Sequence, residues 1–413
     1  MSTQAKVNMA YFPNWGIYSS YNFQPTDVNP AVLSHILYAF ADIAPDTGVI
    51  SLTDLFADTQ KLFPGDNSEE PGTNLYGCLK QFYKMKLANR NLKVALSVGG
   101  GTNSSNGHFD FVTDASKRAT FVSSALELIE DYGLDGLDID YEYPSTTAQG
   151  QGFADLLTAL RSALDSYAAR KGDSVPYIIT AAVSAQAYAQ KYLNVPQMDK
   201  ALSYWNLMAY DYSGPWINYV DNQANLYGGA RSGVSTDKAI KWFLSNGATA
   251  SKLVVGIPEY GRVFENTEGF GQPYNGVGAG TYAYSQLPMT GAQVTEDLTN
   301  VASYSYDPTK QEFVSYDTAR IAALKAQYVV STSIGGNMHW HLAIDKKGSD
   351  SLVSTTAGVF GTIDQTQNHI NYPDSKWDNI RSQLSTENST NGETQVTTAD
   401  LANGSDDSSG SPA

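Results

Sequence analysis

The chain has 413 residues, and its 42 acidic side chains outnumber 26 basic ones to give a formal net charge of −16. Nucleic acids and anionic membranes are bound through clusters of Lys and Arg, so this charge argues against both as partners. The single cysteine, Cys78, excludes an internal disulfide, and its apolar helical surroundings predict a buried structural thiol. The 27 tyrosines can pack a core and also line a groove for a neutral ligand.

Eight short apolar runs predict β-strands in chain order. They span residues 7–12, 35–41, 93–98, 136–142, 177–184, 205–210, 253–258 and 334–340. Many are nearly continuous apolar stretches, as expected for parallel strands that are covered on both faces. Helical periodicity is clear over residues 75–89, 115–132 and 152–170, with shorter candidates at 235–245, 318–329 and 349–359. Strands that alternate with helices in this way predict an α/β fold, a (β/α)8 TIM barrel.

The stretch between the seventh and eighth strands is too long for one helix. Residues 264–313 are rich in Gly, Tyr and Thr, which predicts a small inserted domain, because a structureless loop of that length is uncommon. The barrel is accordingly expected to comprise residues 1–263 and 314–384. Residues 385–413 have almost nothing apolar to bury and are expected to form a disordered polar tail.

The fourth predicted strand carries the most unusual pattern in the chain. Between residues 135 and 144, the carboxylates Asp138, Asp140 and Glu142 are spaced two residues apart. Alternate residues of a strand share one face, so the three should lie together while Tyr141 points the other way. Crowding like charges is costly, and Asp is poorly suited to strand interiors. The run is therefore interpreted as a functional site, and the alternative is an acidic, solvated edge strand.

Together with Asp135, these carboxylates match the Asp-x-x-Asp-x-Asp-x-Glu signature of glycoside hydrolase family 18, the chitinase family. The chain resembles that family over roughly residues 5–360, through the further segments Tyr11-Phe12 with Trp15, Tyr38-Ala39-Phe40, Ser97-Val98-Gly99-Gly100, Met208-Ala209-Tyr210-Asp211, Tyr260-Gly261-Arg262, Ser315-Tyr316-Asp317 and Gly335-Gly336-Asn337-Met338 before Trp340. The resemblance implies a chitinase that hydrolyses β-1,4 bonds between N-acetylglucosamine units without a cofactor or metal. It also implies an α+β insertion domain between strand 7 and helix 7.

The resemblance implies catalytic roles for four residues. Glu142 would act first as general acid and then as base, in a retaining reaction whose nucleophile is the substrate's own N-acetyl oxygen. Asp140 would hydrogen-bond the acetamido N–H and stabilise the oxazolinium ion, and Asp138 would share a proton with Asp140. Tyr210 would hydrogen-bond the attacking carbonyl oxygen. An acid must be protonated near neutral pH, and burial beside other carboxylates favours that state.

A second set of residues is expected to bind the sugars. These substrate-binding residues are Tyr11, Phe40, Gly100, Tyr141, Met208, Asp211, Trp216, Tyr260, Arg262 and Trp340. Trp340 is expected to form the floor under the cleaved sugar. Asp135 and Ser97 are expected to have structural or network roles rather than direct contact with the reacting atoms.

The sequence also departs from the family pattern at three positions, one of which is Tyr141, where the family more often has a tryptophan. Gly101 stands where the family usually has a tryptophan, which predicts a weaker grip on the leaving side of the substrate. His339 stands where an aromatic ring is usual. His339 and His341 flank Trp340, but no third ligand is placed near them in the sequence, so no metal site is expected.

Two other functions would use the same barrel. A chitinase-like lectin would bind without hydrolysis, and an endo-β-N-acetylglucosaminidase would cleave glycoprotein glycans by the same chemistry. The presence of Glu142, Asp140 and Tyr210 favours hydrolysis, and the insertion favours a chitin groove. The expected partner is chitin or a chitooligosaccharide, bound by a monomer. No signal-length apolar segment is visible, so the chain is expected to be cytoplasmic or released without a standard signal, or extracellular if it is a trimmed form.

Overall fold

The structure, a computed structural model, describes residues 5–384, so the expected tail at 385–413 lies outside the described residues. In chain order the strands are β1 (Val7–Pro13), β2 (His35–Ile43), β3 (Ile50–Leu52), β4 (Lys93–Gly99), β5 (Gly136–Asp140), β6 (Ile178–Ser184), β7 (Tyr204–Met208), β8 (Leu253–Pro258), β9 (Tyr260–Phe264), β10 (Thr281–Ala283), β11 (Gln293–Asp297), β12 (Ala302–Asp307), β13 (Glu312–Ser315) and β14 (Gly336–Trp340). Eight of them, β1, β2, β4 to β8 and β14, are parallel and form a closed barrel, because β1 pairs with both β2 and β14.

Helices cover the outside of this barrel. They are α1 (Gly77–Ala88), α2 (Gly101–Ser105), α3 (Ala115–Tyr132), α4 (Thr147–Lys171), α5 (Ala187–Gln190), α6 (Val195–Ala201), α7 (Thr236–Ser245), α8 (Ala319–Ser331), α9 (Leu352–Phe360) and α10 (Asp378–Arg381). Local sequence fixes where the longer ones begin. The side chains of Asp114, Thr146, Ser235, Thr318 and Ser351 accept hydrogen bonds from the first-turn amides of α3, α4, α7, α8 and α9.

The predicted TIM barrel is confirmed, and the eight strand runs differ from the observed strands by at most two residues at either end. One of these differences bears on the acidic motif. Strand β5 ends at Asp140, so the pleat aligns Asp138 with Asp140, whereas Glu142 lies beyond the strand. The short elements β3, α2, α5 and α6 had no clear periodic signal in the sequence.

A second sheet of five antiparallel strands, in the order β10-β9-β13-β12-β11, follows directly after β8. Its only helical segment is the short 3₁₀ turn Tyr284–Gln286. The sheet begins at Tyr260 and ends at Ser315, so the expected domain limits of 264 and 313 fall inside β9 and β13. The domain limits stay a prediction. The first and last strands of the sheet mark where the chain leaves the barrel and where it returns.

Apolar side chains fill both sides of the barrel wall. Met9, Leu37, Ala95, Val254 and Met338 are fully buried in the interior cluster, which makes the barrel a packed core rather than a pore. A larger cluster lies between the strands and the outer helices, and it includes the buried Cys78 of α1 as expected. Within residues 5–384, no helix has both the length and the apolar character needed to cross a membrane.

Candidate active site

The carboxyl ends of the barrel strands open onto a cleft of about 160 Å³. Barrels of this kind carry their functional residues at this end, because the loops that follow the strands converge there. The cleft is lined by Tyr11, Asp140, Glu142, Tyr143, Ser184, Gln186, Met208, Tyr210, Asp211, Tyr260 and Trp340. Asp140 and Glu142 of the acidic motif therefore meet, in one cavity, aromatic residues that the sequence placed at several different strand ends.

Asp138 lies inside the barrel below the cleft and is fully buried. Its Oδ2 accepts hydrogen bonds from the hydroxyls of Tyr11 and Ser97, at 2.8 and 2.7 Å. Its Oδ1 accepts from the Thr180 hydroxyl at 2.5 Å and from the Asn206 amide at 3.1 Å. Burial raises the pKa of this carboxyl, and the four hydrogen bonds oppose the rise. A proton shared with the next carboxylate would have to displace one of these four donors.

Asp140 is the second carboxylate of the motif, at the last position of β5. Among residues 5–384 its Oδ1 has no hydrogen-bond partner, although the atom is buried. Burial, and then the charges of Glu142 and Asp138, raise the pKa of Asp140 well above its ordinary value. This carboxyl therefore has a raised proton affinity and an oxygen left free for a ligand in the cleft.

Glu142 stands just beyond the strand, at the mouth of the barrel. Its backbone N–H donates to Ser104 Oγ at 2.9 Å, which fixes the loop that carries it. Burial raises the pKa of Glu142, and the nearby Asp211 charge adds to this, whereas a hydrogen bond with Tyr143 opposes it. A carboxyl with a raised pKa remains protonated closer to neutral pH, as a general acid must.

Aromatic rings form one side of the cleft. Trp340, at the end of β14, is stacked on Phe40 with ring centroids 5.7 Å apart and planes inclined at 26°. Tyr11 meets the Trp340 ring edge-on at 5.1 Å, and Trp15 lies 6.0 Å from Phe40. Tyr210 and Tyr260 form a second edge-to-face pair at 6.1 Å. Rings in this arrangement present flat apolar surfaces beside the two carboxyl groups of the motif.

Asp211 is the third carboxylate that reaches the cleft, and it is held by a cation. Arg262 Nε donates to Asp211 Oδ1 at 2.8 Å, and Arg262 Nη2 lies 2.7 Å from Oδ2. The Tyr260 hydroxyl also donates to Oδ1, at 2.6 Å. The Arg262 guanidinium lies 5.1 Å from the ring of Trp216, which is 52% exposed. The bidentate pair fixes this wall and leaves Asp211 little freedom to react.

Most of the predicted site residues lie in or next to the cleft, but Tyr141 does not. Its ring is stacked on Phe109 at 4.4 Å and packs edge-on against Phe153, in the layer between barrel and helices. The expected substrate-binding role of Tyr141 is therefore wrong, because alternation along the chain turns this residue outward. Gly100 is needed for space: with φ of 89°, any Cβ there would lie 2.9 Å from the Phe40 ring.

Asp135 lies at the opposite end of β5 from the cleft. Its carboxylate is paired with Lys86 Nζ at 2.9 Å and accepts the backbone N–H groups of Val94 and His369 at 2.7 and 2.8 Å. These contacts fit the structural role expected for Asp135. Ser97 likewise acts on the network rather than the cleft, through its hydrogen bond to Asp138.

Sequence reasoning missed several cleft residues. Tyr143, Ser184 and Gln186 line the cavity, and Tyr188 stands edge-on to Tyr143 at 6.0 Å with 56% of its surface exposed. Tyr143 directly follows Glu142, so its proximity could have been inferred. Ser184 ends a strand whose apolar run gave no polar signal. In the described part of the chain, no group of three or more His, Cys, Asp or Glu side chains is arranged to hold a metal ion.

Comparison with known proteins gives this barrel a family. The pattern described as Glycosyl hydrolases family 18 matches residues 7–345. The match spans well over half of the chain and contains all four carboxylates of the acidic motif. The chain therefore belongs to glycosyl hydrolases family 18.

Curated relatives and solved structures agree with this assignment. Chitinase 1 of Aphanocladium album is 42% identical over 384 residues, which cover 91% of this chain and 90% of that protein. Endochitinase 1 of Metarhizium robertsii is 41% identical over 387 residues, with 92% and 91% covered. The catalytic domain of a psychrophilic chitinase B from Arthrobacter TAD20 superposes with a TM-score of 0.79 at 25% identity, over 89% of this chain and 98% of that one. A mutant of the Ostrinia furnacalis group II chitinase catalytic domain 2, in complex with (NAG)5, gives 0.75 at 28% identity, over 88% and 99%.

Proposed function

We propose that this chain is a chitinase that hydrolyses the β-1,4 bonds between N-acetylglucosamine units of chitin and chitooligosaccharides. The observation that carries the proposal is the pair formed by Glu142 and Asp140 in one aromatic-lined cleft, where Asp140 offers a free carboxyl oxygen. The relatives named chitinase and endochitinase support this substrate, as does the (NAG)5 complex of a structural neighbour. The reaction retains the anomeric configuration.

The shortage of a free second carboxylate supports a substrate-assisted mechanism. Asp211 is tied to Arg262 and Tyr260, and Asp140 stands on the same strand end as the acid rather than across the cleft. A retaining glycosidase with two carboxylates needs the nucleophile opposite the acid, at about 5–5.5 Å. We therefore assign the nucleophile to the acetamido oxygen of the cleaved sugar.

In the first step, the protonated Glu142 gives its proton to the glycosidic oxygen as the bond from that oxygen to C1 breaks. The acetamido oxygen forms the new bond to C1, and the leaving chain departs as an alcohol. Asp140 accepts the acetamido N–H and stabilises the positive oxazolinium ring, while Tyr210 donates to the attacking oxygen. Asp138, held by four donors, lies beneath Asp140 and contributes to the raised pKa of Asp140. Such positioning supplies much of the rate in intramolecular reactions.

In the second step, Glu142 is a carboxylate and removes a proton from a water molecule. The water oxygen bonds to C1 on the face that the leaving chain vacated, the oxazolinium ring opens, and the acetamido group is restored. Glu142 ends protonated and ready for another cycle. Retention follows because C1 is attacked twice from opposite sides.

The aromatic groups divide between the two sides of the cleaved bond. Trp340 is proposed as the floor under the cleaved sugar, with Tyr11 and Phe40 supporting the ring. Trp216 and Tyr188 are exposed aromatic rings near the Asp211 wall and Tyr143, and we assign them to the leaving side. They offer stacking surface on the side where Gly101 provides none.

The test is hydrolysis of a defined chitooligosaccharide with the first product anomer identified by NMR. The β-anomer is expected first, together with a rate at least about a thousandfold higher than for an oligomer lacking the acetyl group on the cleaved sugar, because the internal nucleophile is then missing. Equal rates on both oligomers, or the α-anomer appearing first, would contradict the mechanism. Binding without products would instead favour the lectin.

The saccharide is the only partner in this proposal, and the chain is proposed to act as a monomer. Glu142, Asp140, Tyr210 and Trp340 all come from one chain, so a second copy need not complete the cleft. Light scattering during turnover tests this point. An active species of twice the chain's mass would contradict it.

A further inference from the structure

A fully buried carboxyl lies directly behind the cleft wall. Glu259 occupies the single position between β8 and β9 and has no exposed surface. Its Oε1 lies 2.7 Å from His339 Nδ1, and His339 Nε2 lies 2.9 Å from the Thr356 hydroxyl of α9. That hydroxyl is 3.0 Å from Asn8 Oδ1 on β1. The row of contacts thus joins β8, β14, α9 and β1 on the outer side of the barrel wall.

The other side of Glu259 faces a second carboxyl group, Asp345. Asp345 accepts the Ser351 hydroxyl at 2.6 Å and the backbone N–H of Leu352 at 3.0 Å, so it anchors the start of α9. Burial, and then the charges of Asp345 and Asp317, raise the pKa of Glu259 well above its ordinary value. The titratable groups that face Glu259 are thus Asp345, Asp317 and His339.

The contact between Glu259 and His339 is a bridge in which the histidine is neutral. Burial lowers the pKa of its imidazole to about 3, so the ring is neutral. Among the described residues, Glu259 is within ion-pair distance of the His339 ring and of no lysine or arginine. A neutral carboxylic acid fits this ring, because its carbonyl accepts from His339 Nδ1–H, while its second oxygen, Oε2, has no hydrogen-bond partner among the described residues. Such an arrangement leaves no buried charge on Glu259 itself.

The bridge is connected to two cleft residues through the backbone. The N–H of Glu259 donates to the carbonyl oxygen of Trp340 at 2.8 Å. The residue after Glu259 is Tyr260, whose hydroxyl holds Asp211. His339 precedes Trp340 on β14, so the histidine points away from the cleft where the tryptophan points into it. One buried side chain therefore sits behind both the aromatic floor and the Tyr260 wall.

We propose that Glu259 is a positioning residue for the cleft, which fixes Trp340 and Tyr260 through its side-chain contact with His339 and its backbone N–H bond to the Trp340 carbonyl. The inference rests on the proposed function for its choice of substrate. It goes beyond that function because Glu259 touches neither the sugar nor the reacting atoms. It also gives a reason for His339, which stands where the family usually has an aromatic ring.

The experiment compares Glu259→Gln, Glu259→Asp and Glu259→Leu in the full chain. Kinetics on a chitooligosaccharide give KM and kcat, and calorimetric binding of the same oligomer is measured with Glu142→Gln added. Glutamine offers one donor and one acceptor at the same positions, so KM and binding should stay within about twofold of wild type. Leucine removes the bridge, and the resulting displacement of the floor should raise KM about tenfold with a smaller change in kcat.

A matched control separates positioning from loss of stability. Glu130 is also buried, and it accepts the backbone N–H of Asp374 on the outside of the barrel, so Glu130→Leu should lower the Tm without changing KM. If Glu259→Leu does not fold, Glu259→Asp, which shortens the side chain by one methylene, should still raise KM about threefold. Folded Glu259→Asp and Glu259→Leu proteins with wild-type KM would overturn the proposal, and so would Glu259→Gln as impaired as Glu259→Leu. Failure of the wild-type chain to bind or cleave the oligomer would instead overturn the proposed function.

Discussion

The two ends of strand β5 place an aspartate side chain in opposite environments. At the base, Asp135 is paired with the Lys86 ammonium and accepts two backbone N–H groups. At the mouth, five residues further along, Asp140 has a buried oxygen without a partner among the described residues, and it lies beside Glu142 and Asp138. Every feature that stabilises a buried carboxylate is present at the base, and most of them are missing at the mouth.

The difference shows where this fold is built for stability and where it is built for reaction. A carboxylate that is fully paired has little left to offer a substrate, whereas one that lacks partners can bind an incoming N–H or proton. Asp138 lies between the two extremes, since it has four donors but no cation. Over the six residues from Asp135 to Asp140, the environment of the carboxylates thus changes from a structural one to that of the reactive site. Substitutions at each end should separate the two properties.

The largest effect is expected at the mouth, on activity. Glu142→Gln removes the transferable proton but keeps the shape, so kcat should fall by about 10²–10⁴-fold. Folding and oligomer binding should be retained, because the Ser104 contact is made by the Glu142 backbone. Steady-state kinetics together with calorimetric binding check this. A variant that keeps a tenth or more of wild-type kcat would remove Glu142 from the acid role.

The corresponding change at the base should act on stability instead. Asp135→Asn leaves the fully buried Lys86 ammonium without its carboxylate, which should cost about 3–5 kcal/mol of unfolding free energy. The loss should shrink at alkaline pH, where Lys86 can release its proton, since burial already lowers its pKa to about 8. Urea unfolding at two pH values measures it. The specific activity of the folded protein should be unchanged, and a large loss of kcat would blur the contrast between the two ends.

A smaller effect is expected from space beside the acid. A Cβ built on Gly101 would lie 3.3 Å from Glu142 Oε1, so Gly101→Ala should push the carboxyl out of line and lower kcat about three- to tenfold. Gly358→Ala is the matched control, because a Cβ at that position of α9 meets nothing within 4 Å. Equal kcat values for both variants would show that the acid tolerates the displacement.

The smallest effect concerns the stability of the mouth itself. Because the pKa of Asp140 is raised in the folded state, the folded chain binds this proton more tightly than the unfolded chain. The contribution of Asp140 to stability is therefore greatest below the ordinary Asp pKa of about 3.9, and it falls as pH rises towards the folded pKa. Asp140→Asn avoids that loss, so its Tm should exceed wild type by about 1–2 °C near pH 8 and by less as the pH is lowered.

Thermal melts of Asp140→Asn and wild type, near pH 8 and at a lower pH, decide this last point. Asp140→Asn is thus expected to be inactive and yet more stable than the wild-type protein. A lower Tm near pH 8 would mean that Asp140 has a stabilising partner in solution, and the mouth would then resemble the base.

Much of the barrel followed from local sequence, because parallel strands buried on both faces are continuous apolar runs with little ambiguity. The acidic motif located the site for a related reason: carboxylates at such spacing are costly unless they are used. The placement of Glu142 was less accurate, since pleat geometry was extended beyond Asp140, where β5 ends. Tyr141 was placed in the cleft by resemblance, although its position in the alternation points it into the outer layer.

Contacts between distant segments could not be read from the sequence. The four donors to Asp138 come from β1, β4, β6 and β7, and no local pattern links them. Ser104 lies in the short helix α2 and Gln186 directly precedes α5, and the paths of both segments depend on the packed barrel. Glu259 gave no signal as a single acidic residue before Tyr260, and only its burial against His339 distinguishes it. Tertiary proximity, rather than composition or periodicity, is what the sequence left undetermined.

The strands that connect the second sheet to the barrel are hydrogen-bonded neighbours. Arg262 of β9 lies opposite Ser315 of β13, so the chain leaves the barrel and comes back at almost the same place. The intervening excursion can therefore be lengthened, shortened or exchanged as a cassette without shifting the register of any barrel strand. Arg262 on the connecting strand also holds Asp211. Such an exchange would therefore change one wall of the cleft, while the reacting carboxyl groups on β5 and its following loop would stay in place.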